Sequence, residues 1–162
     1  MKKSSVQLAD EIENIMHTYG NMLFRLSLTM LGNVSDAEDV VQETLMKYIE
    51  KAPEFEHEEH KKSWLITVVS NKCRDMLRSR KRHPMVDIEE WNSVMKDSID
   101  IGIIEALMTL PEKFRLVLIL YYVEEYRIED ISKIIGKTKS AVKMRLQKGR
   151  KLLEETYRKE YM

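Results

Sequence analysis

Apolar positions in the first half of the chain recur at intervals of three, four and seven residues, which is the spacing of one face of an α-helix. The pattern predicts three helices. The first ends at Gly32, and the second begins at Ser35, where Glu38 completes a capping box. The second closes at Pro53, and a polar loop over residues 53–62 leads to the third. The predicted buried positions are Ile12, Ile15, Met16, Tyr19, Leu23, Leu26 and Met30, then Ala37, Val40, Val41, Thr44, Leu45, Tyr48 and Ile49, then Leu65, Val68, Val69, Cys73, Met76 and Leu77.

The second half repeats this spacing in shorter stretches. Helical periodicity resumes at about Ile99, and Pro111 suits the first turn of a helix. Gly136 suits a tight turn and Thr138 the N-cap of the last helix. The predicted buried positions are Phe114, Val117, Leu118, Tyr121, Ile128, Ile131, Ile134, Ile135, Val142, Leu146, Gly149 and Leu153.

No stretch alternates between apolar and polar residues as a half-buried strand does. The predicted fold class is therefore all-α, with two small helical bundles. We expect the first over residues 1–84 and the second over 99–162, where it contains a helix-turn-helix. Residues 85–98, which show weak periodicity, are the expected linker.

Composition narrows the class of protein further. The 162 residues are enough for one ordinary domain or two very small ones. The one cysteine, Cys73, excludes a disulfide framework and a four-cysteine zinc site within one chain. No apolar run approaches the ~20 residues that span a bilayer, and the first residues lack the apolar segment of a signal peptide. We expect a cytoplasmic protein that does not insert into a membrane.

The net charge of zero hides three strongly charged segments. Residues 36–59 carry a net charge of −7, residues 61–84 carry +7 and residues 133–151 carry +8. Two basic segments, one in each predicted bundle, suggest two contacts with a polyanion whose phosphates they neutralise. The other interpretation is that both segments are ordinary solvated helix faces.

The spacing from Ile128 to Arg150 fits a helix-turn-helix: a short helix, a turn with Gly136, and a second helix. The second helix can enter a major groove, where Lys and Gln reach base edges and other cations reach phosphates. A plain helical hairpin with a charged surface is the alternative. The polar side of the second helix holds Lys139, Ser140, Lys143, Gln147 and Arg150.

Several runs of residues resemble conserved regions of bacterial RNA polymerase sigma factors. The runs 32–43, 64–66 and 71–78 are similar to region 2, and the runs 110–115 and 141–150 are similar to region 4. The likeness spans roughly residues 12–155 in the right order. The compact layout resembles the extracytoplasmic-function (ECF) class, which keeps regions 2 and 4 alone.

The resemblance implies three sets of binding residues. The acidic second helix would dock on the largest subunit of core polymerase through Asp36, Glu38, Asp39, Gln42 and Glu43, although helix capping alone explains Asp36 and Glu38. The −10 promoter element would meet Phe55, Asn71, Lys72, Arg74, Asp75 and Arg78. Phe55 and Asn71 match the family's loop aromatic and helix asparagine that hold a flipped base. Phe55 could instead pin its loop to the core.

The −35 element would meet the last helix. Lys143, Met144, Gln147 and Lys148 match the family's recognition positions, while Lys139, Ser140, Arg145 and Arg150 suit backbone phosphates. The chain departs from the family at Met144, where Ser is common, and at Gly149, where Ala is usual.

The predicted function is that of an ECF-type alternative sigma factor. The resemblance implies core RNA polymerase, promoter DNA and an anti-sigma factor, often membrane-anchored, as partners. We expect no catalytic site, cofactor or metal; His57 and His60 form an incomplete metal-ligand set in a predicted loop. The alternatives are a free-standing helix-turn-helix regulator and a helical adaptor that binds no DNA.

Overall fold

The computed structural model describes residues 2–80 and 101–161, and the predicted linker 85–98 lies outside these ranges. The described residues form seven α-helices without strands, which confirms the all-α prediction. The helices are α1 (Ser5–Leu31), α2 (Val34–Lys51), α3 (Glu58–Arg80), α4 (Ile101–Thr109), α5 (Glu112–Leu118), α6 (Ile128–Ile135) and α7 (Lys139–Tyr161). A π-helical turn over Ile119–Val123 continues α5.

The connection between α1 and α2 is as short as predicted, but its cap is a different residue. Gly32 takes the left-handed conformation with φ 69°, which a glycine adopts without strain. Asn33 is the N-cap of α2, because its side chain accepts a hydrogen bond from the backbone N–H of Asp36 at 2.9 Å. The predicted capping box of Ser35 and Glu38 is therefore wrong, since Ser35 already lies within α2.

The loop before α3 is shorter than its polar residues suggested. Helix α2 ends at Lys51, Ala52 caps it with φ 42°, and α3 begins at Glu58. The predicted loop to residue 62 was too long because Glu58 and Glu59 in the first turn suit the positive end of the helix dipole. His60 consequently lies in a helix, while His57 precedes it.

Two predicted core residues of the first bundle face solvent. Met16 is 45% exposed and Ile49 is 49% exposed. Both lie at the edge of an apolar stripe, where periodicity alone does not separate the last buried position from the first exposed one. The rest of the stripe packs as predicted around Leu23, Leu26 and Tyr48.

In the second bundle α6 and α7 form the predicted helix-turn-helix. Gly136 is left-handed with φ 68° between them. The Thr138 hydroxyl accepts the N–H of Ala141 at 3.1 Å, as an N-cap residue does. Pro111 stands one residue earlier than predicted, as the N-cap of α5.

The two bundles pack against each other, and one apolar cluster runs through both. The Arg25 guanidinium on α1 donates two hydrogen bonds, of 2.8 and 2.9 Å, to the carboxylate of Glu124, which follows the π turn. The side chain of Glu124 is only 5% exposed. On α3, the Lys62 ammonium lies 5.0 Å from the ring centre of Tyr126.

Candidate polymerase and nucleic-acid interfaces

The predicted polymerase-binding residues lie together on the first three turns of α2. Glu38, Asp39, Gln42 and Glu43 are exposed, and Asp36 is half-buried in the first turn. Since Asn33 caps the helix, Glu38 and Asp39 are not needed for that purpose. Their carboxylates instead form an acidic surface that a basic partner can reach.

An open groove of about 560 Å³ lies beside this acidic surface. Met16, Gly20 and Phe24 of α1 form one wall, and Val41, Gln42 and Leu45 of α2 form the other. Met46 and Ile49 of α2 are also exposed. This apolar component was not predicted from the sequence. Its only signal there is that α2 has more apolar positions than one buried stripe needs.

Phe55 is half-buried in the loop between α2 and α3, where its ring meets Trp64 edge to face at 6.1 Å between ring centres. Trp64 in turn meets the fully buried Tyr48 at 5.8 Å. Aromatic pairs prefer this arrangement. Asn71 is exposed two helical turns after Trp64, which places it on the same face of α3, roughly 10 Å along the axis.

Lys3, which was not among the residues predicted from the sequence, contacts the same loop. The Lys3 ammonium donates hydrogen bonds to the Pro53 carbonyl at 2.7 Å and to Oε2 of Glu11 at 3.0 Å. That carboxylate oxygen also accepts the Tyr48 hydroxyl at 3.0 Å. Burial and the nearby Glu11 carboxylate raise the pKa of Tyr48. The contact from residue 3 to residue 53 leaves no periodic signal in the sequence.

Beside this network, the Tyr19 hydroxyl donates a hydrogen bond of 2.6 Å to Glu58 in the first turn of α3. This bond lowers the pKa of Glu58, while burial and the bond together raise the pKa of Tyr19 to about 12. The bond therefore joins α1 to the start of α3 next to the loop.

Four cations of α3 have polar partners within the protein. Lys61 pairs with Glu58 at 3.4 Å, and Lys72 pairs with Glu43 of α2 at 3.6 Å. Arg74 donates to the side chain of Asn71. Arg78 lies 4.0 Å from both Asp75 on its own helix and Glu112 on α5.

The proposed recognition positions of α7 face outward. Lys143, Gln147 and Lys148 are exposed and Met144 is 70% exposed, whereas Val142 and Leu146 are buried. Among the described residues, no carboxylate lies within ion-pair distance of Lys143 or Arg145. Lys148 lies over the Phe114 ring at 5.7 Å, and Lys139 lies 3.8 Å from Glu129. Ser140 is exposed in the first turn.

Arg150 lies apart from these positions. Its guanidinium donates a hydrogen bond of 2.9 Å to the Tyr122 hydroxyl, so it fastens α7 to the π turn. Gly149 beside it lets the helices approach closely, because a Cβ there would lie 3.3 Å from Leu118 and 3.4 Å from Phe114. Gly149 is buried, as the helical spacing predicted.

A buried cation lies where the two bundles meet. Arg115 is 2% exposed and donates hydrogen bonds to the carbonyls of Met108 at 2.9 Å and Leu110 at 3.3 Å. Burial lowers its pKa to about 10, so it stays protonated at neutral pH. Burial also raises the pKa of the Cys73 thiol to about 12, which makes that cysteine unreactive in the folded state.

His57 and His60 stack edge to face with ring centres 5.2 Å apart. Within residues 2–80 and 101–161, no group of three or more His, Cys, Asp or Glu side chains could hold a metal ion. No helix in those two ranges is long and apolar enough to cross a membrane.

Two family descriptions match the chain in order along its length. Sigma-70 region 2 matches residues 15–83, and Sigma-70 region 4 matches residues 101–153. Their boundary coincides with the change from the first bundle to the second. The chain belongs to the sigma-70 family of RNA polymerase sigma factors, which are transcription regulators, and its two-region layout places it in the ECF class.

Two relatives from Bacillus subtilis show the extent of the similarity. RNA polymerase sigma factor SigV is 30% identical over 85% of this chain and 85% of its own length. ECF RNA polymerase sigma factor SigW is 26% identical over 92% of this chain and 90% of its own length. The similarity therefore covers both bundles.

Two solved structures share the fold. One is the sigma factor RpoE in complex with the anti-sigma factor NepR from Bartonella quintana, with a TM-score of 0.72 and 24% identity over 93% of this chain and 98% of that one. The other is CnrH in complex with the cytosolic domain of CnrY, with a TM-score of 0.71 and 19% identity over 94% and 90%. Both confirm the arrangement of helices.

Proposed function

We propose that this chain is an ECF-type sigma factor that binds core RNA polymerase, recognises −10 and −35 promoter elements and promotes transcription initiation. The observation that carries the proposal is the match to regions 2 and 4 in order, each with an exposed polar surface where the family binds its partners. We assign residues 1–84 to the polymerase and the −10 element, 85–98 to a linker, and 99–162 to the −35 element.

We assign polymerase docking to the acidic surface of α2 and its neighbouring groove. Glu38, Asp39, Gln42 and Glu43 would meet basic groups, while Met16 and Leu45 supply apolar contact. Such a surface combines charge steering with a small apolar centre, as specific interfaces do. Asp36 lies at the edge of this surface, in the first turn.

We assign the −10 element to the loop aromatic Phe55 and to the polar face of α3 that contains Asn71, Arg74, Asp75 and Arg78. A base leaving the stack needs an aromatic platform and a polar edge to replace its partners. Phe55, seated on Trp64, and Asn71 on the same face supply both. Lys72 would contribute a phosphate contact once it leaves Glu43.

We assign the −35 element to α7, which would enter the major groove. Lys143, Met144, Gln147 and Lys148 would face base edges, and the exposed Met144 offers apolar contact to a thymine methyl. Lys139, Ser140 and Arg145 would contact phosphates. Arg150 would reach a phosphate only on leaving Tyr122.

While the two bundles are packed together, they cannot contact the −10 and −35 promoter elements at the same time. The element centres lie about 25 base pairs apart, or roughly 85 Å at 3.4 Å per pair. A compact chain of 162 residues has a radius of gyration of only about 15 Å. The bundles therefore separate when polymerase and promoter bind, and the Arg25–Glu124 pair breaks in that step.

We assign no enzymatic activity, cofactor or metal to the chain, since strand opening would use binding free energy alone. We place the protein in the cytoplasm. We propose that an anti-sigma factor, which could itself be anchored in the membrane, regulates it. The solved relatives in anti-sigma complexes support this partner class, because they share the fold over nearly the whole chain.

The test is co-elution with purified bacterial core RNA polymerase in gel filtration. We expect the wild-type chain to co-elute at micromolar concentration. The double variant Asp39→Arg plus Gln42→Ala should lose co-elution, because it reverses the charge at Asp39 within the acidic surface and removes the Gln42 amide. The matched control is Glu13→Arg plus Asn14→Ala, which makes the same change of charge at exposed residues outside that surface. If the wild-type chain fails to co-elute, the sigma assignment is wrong, and binding to duplex DNA then separates a free-standing regulator from an adaptor.

A further inference from the structure

We propose that Lys3, acting with Glu11, is a positioning residue that holds the 52–57 loop so that Phe55 can receive an unstacked base of the −10 element. The inference rests on the proposed function, because it assumes that Phe55 contacts the −10 strand. Lys3 precedes α1 and lies fifty positions away in sequence from Pro53 in the loop that it supports.

The Lys3 side chain is unusually buried for a lysine. Its side chain is 14% exposed, although lysines almost always keep their ammonium in water. The ammonium makes the two hydrogen bonds to Pro53 and Glu11 and also lies 5.6 Å from the ring centre of Tyr48. A hydrated ammonium is confined in this way only when several partners replace its water.

The Pro53 carbonyl is the point at which this network reaches the loop. Ala52 ends α2 in the left-handed conformation, so the chain turns sharply just before Pro53. The Lys3 bond then fixes the direction in which the loop leaves the helix. Phe55 stands two residues further on, and its ring rests on Trp64.

Glu11 joins the same network to the aromatic stack. One oxygen of its carboxylate accepts hydrogen bonds from both the Lys3 ammonium and the Tyr48 hydroxyl, and the Tyr48 ring also packs against Trp64. The loop backbone and the surface beneath Phe55 are therefore held by one pair of charges. A shift in either would move Phe55 relative to Asn71.

The network also borders an open polar cavity of about 410 Å³ whose lining includes Lys3, Tyr48, Phe55 and Lys61. A direct phosphate contact by Lys3 is thus the rival explanation for any effect of its removal. Glu11 separates the two explanations. If Lys3 contacts a phosphate directly, removal of the Glu11 carboxylate strengthens DNA binding, because a negative charge near a polyanion is lost. If the network positions the loop, the same change weakens DNA binding.

The experiment uses full-length protein with core polymerase and the promoter that this holoenzyme enriches from a randomised duplex pool. Two probes are made from it: a fork whose −10 non-template strand is single-stranded, and a duplex with the −35 element alone. The variants are Lys3→Met, Lys3→Arg, Glu11→Ala and Phe55→Ala. The matched controls are Lys2→Ala and Glu13→Ala, which remove the same charges at exposed neighbouring positions.

We expect Lys3→Met and Glu11→Ala each to weaken fork binding about tenfold, since each removes a charged hydrogen-bonding group from the network. Binding to the −35 duplex and co-elution with core polymerase stay within about twofold, which separates lost positioning from general unfolding. Lys3→Arg restores fork binding to within about threefold, because a guanidinium can also bridge Pro53 and Glu11. The two controls leave fork binding unchanged.

Tighter fork binding by Glu11→Ala, or fork binding that is unchanged in both Lys3→Met and Glu11→Ala, would overturn the inference. If Phe55→Ala still weakens fork binding in that case, the assigned role of Phe55 stands and only the positioning role fails. If Phe55→Ala has no effect, the −10 assignment itself fails and the inference fails with it.

Discussion

Helix α3 lies in one of the two basic segments and α7 in the other, and their cations have different surroundings. On α3, Lys61, Lys72 and Arg78 each have a carboxylate within 4.0 Å. On α7, Lys143 and Arg145 have none within that distance among the described residues. A phosphate that approaches α3 must first displace a protein partner, so the net gain there is smaller. Formal charge therefore overstates how much of α3 is available for electrostatic attraction.

This difference suggests a division of labour in promoter binding. Lys143 and Arg145 of α7 suit rapid, long-range attraction to duplex DNA, which falls steeply with salt. The paired cations of α3 suit a later contact, made once the −10 strand is close enough to replace Glu43 or Asp75. The aromatic stack beside α3, rather than its charge, would then carry most of the −10 recognition.

The largest expected effect comes from reversing charge on α7. We expect Lys143→Glu plus Lys148→Glu to lower run-off transcription at least about 100-fold, because two groove contacts of roughly 1–3 kcal/mol each become repulsive. Co-elution with core polymerase stays unchanged. The control is Arg158→Glu plus Lys159→Glu, beyond the region 4 match on the same helix. Equal losses in both double variants would show that net charge, not position, matters.

Neutralising two cations on α3 is expected to do less. Lys61→Gln plus Lys72→Gln should weaken promoter binding less than about tenfold, because each side chain gives up an existing carboxylate partner in order to bind phosphate. The slope of log K against log salt should change by clearly less than the roughly 0.9 per contact expected for free cations. A full slope change for both residues contradicts the comparison between the helices.

The contact between the bundles can be weakened without touching either DNA surface. We expect Glu124→Gln to destabilise the packed arrangement by about 1–3 kcal/mol, because it leaves the Arg25 guanidinium with a neutral partner at a nearly buried site. Small-angle X-ray scattering should show a larger radius of gyration. Glu125→Gln, the exposed neighbour, serves as the control. An unchanged radius in Glu124→Gln contradicts a stabilising role for the pair.

The packing beneath α7 gives a graded prediction. Gly149→Ala should change the free energy of unfolding by less than about 1 kcal/mol, since better helix propensity offsets a tight contact with Leu118. Gly149→Val should cost about 1–3 kcal/mol, because its larger side chain has no room. Urea unfolding monitored by circular dichroism measures both. Equal stability of all three proteins would contradict the close packing.

The smallest expected effect is a pH dependence of the first bundle. The Tyr19 bond lowers the pKa of Glu58 below its ordinary value of 4.5, so this contribution is present above that value and is lost as the pH falls through the lowered one. Glu58 is largely exposed, so we expect under about 1 kcal/mol. The stability difference between wild type and Tyr19→Phe should shrink between pH 7 and pH 3. A constant difference contradicts the assignment.

Local signals predicted most of the helices, while long-range contacts escaped prediction. Gly32 and Gly136 end their helices as expected, because a left-handed residue is a local requirement. Ser35 was mistaken for the cap because Asn33, two residues earlier, is an equally good cap residue and only the backbone shows which one is used. The exposed faces of α2 and α7 could likewise be inferred from periodicity and charge.

The parts that could not be predicted depend on residues far apart in the chain. Lys3 meets Pro53 and Arg25 meets Glu124 across 50 and 99 positions, and neither pair belongs to a repeating pattern. The partners of the α3 cations were missed for the same reason, since Glu43 and Glu112 lie on other helices. Charge totals thus located both basic segments but could not show which cations were already paired.

The π turn over Ile119–Val123 has an evolutionary consequence. Its wide turn, in which the Glu124 N–H donates to the Ile119 carbonyl at 3.0 Å, holds one more residue than an α-helical turn would. Loss of a single codon in this segment would leave an ordinary α-helical turn, and Glu124 would still face Arg25, because the wide turn has already absorbed the extra residue. A one-residue gap here in an aligned relative would therefore mark a protein that can keep this ion pair with an ordinary helical turn in place of the π turn.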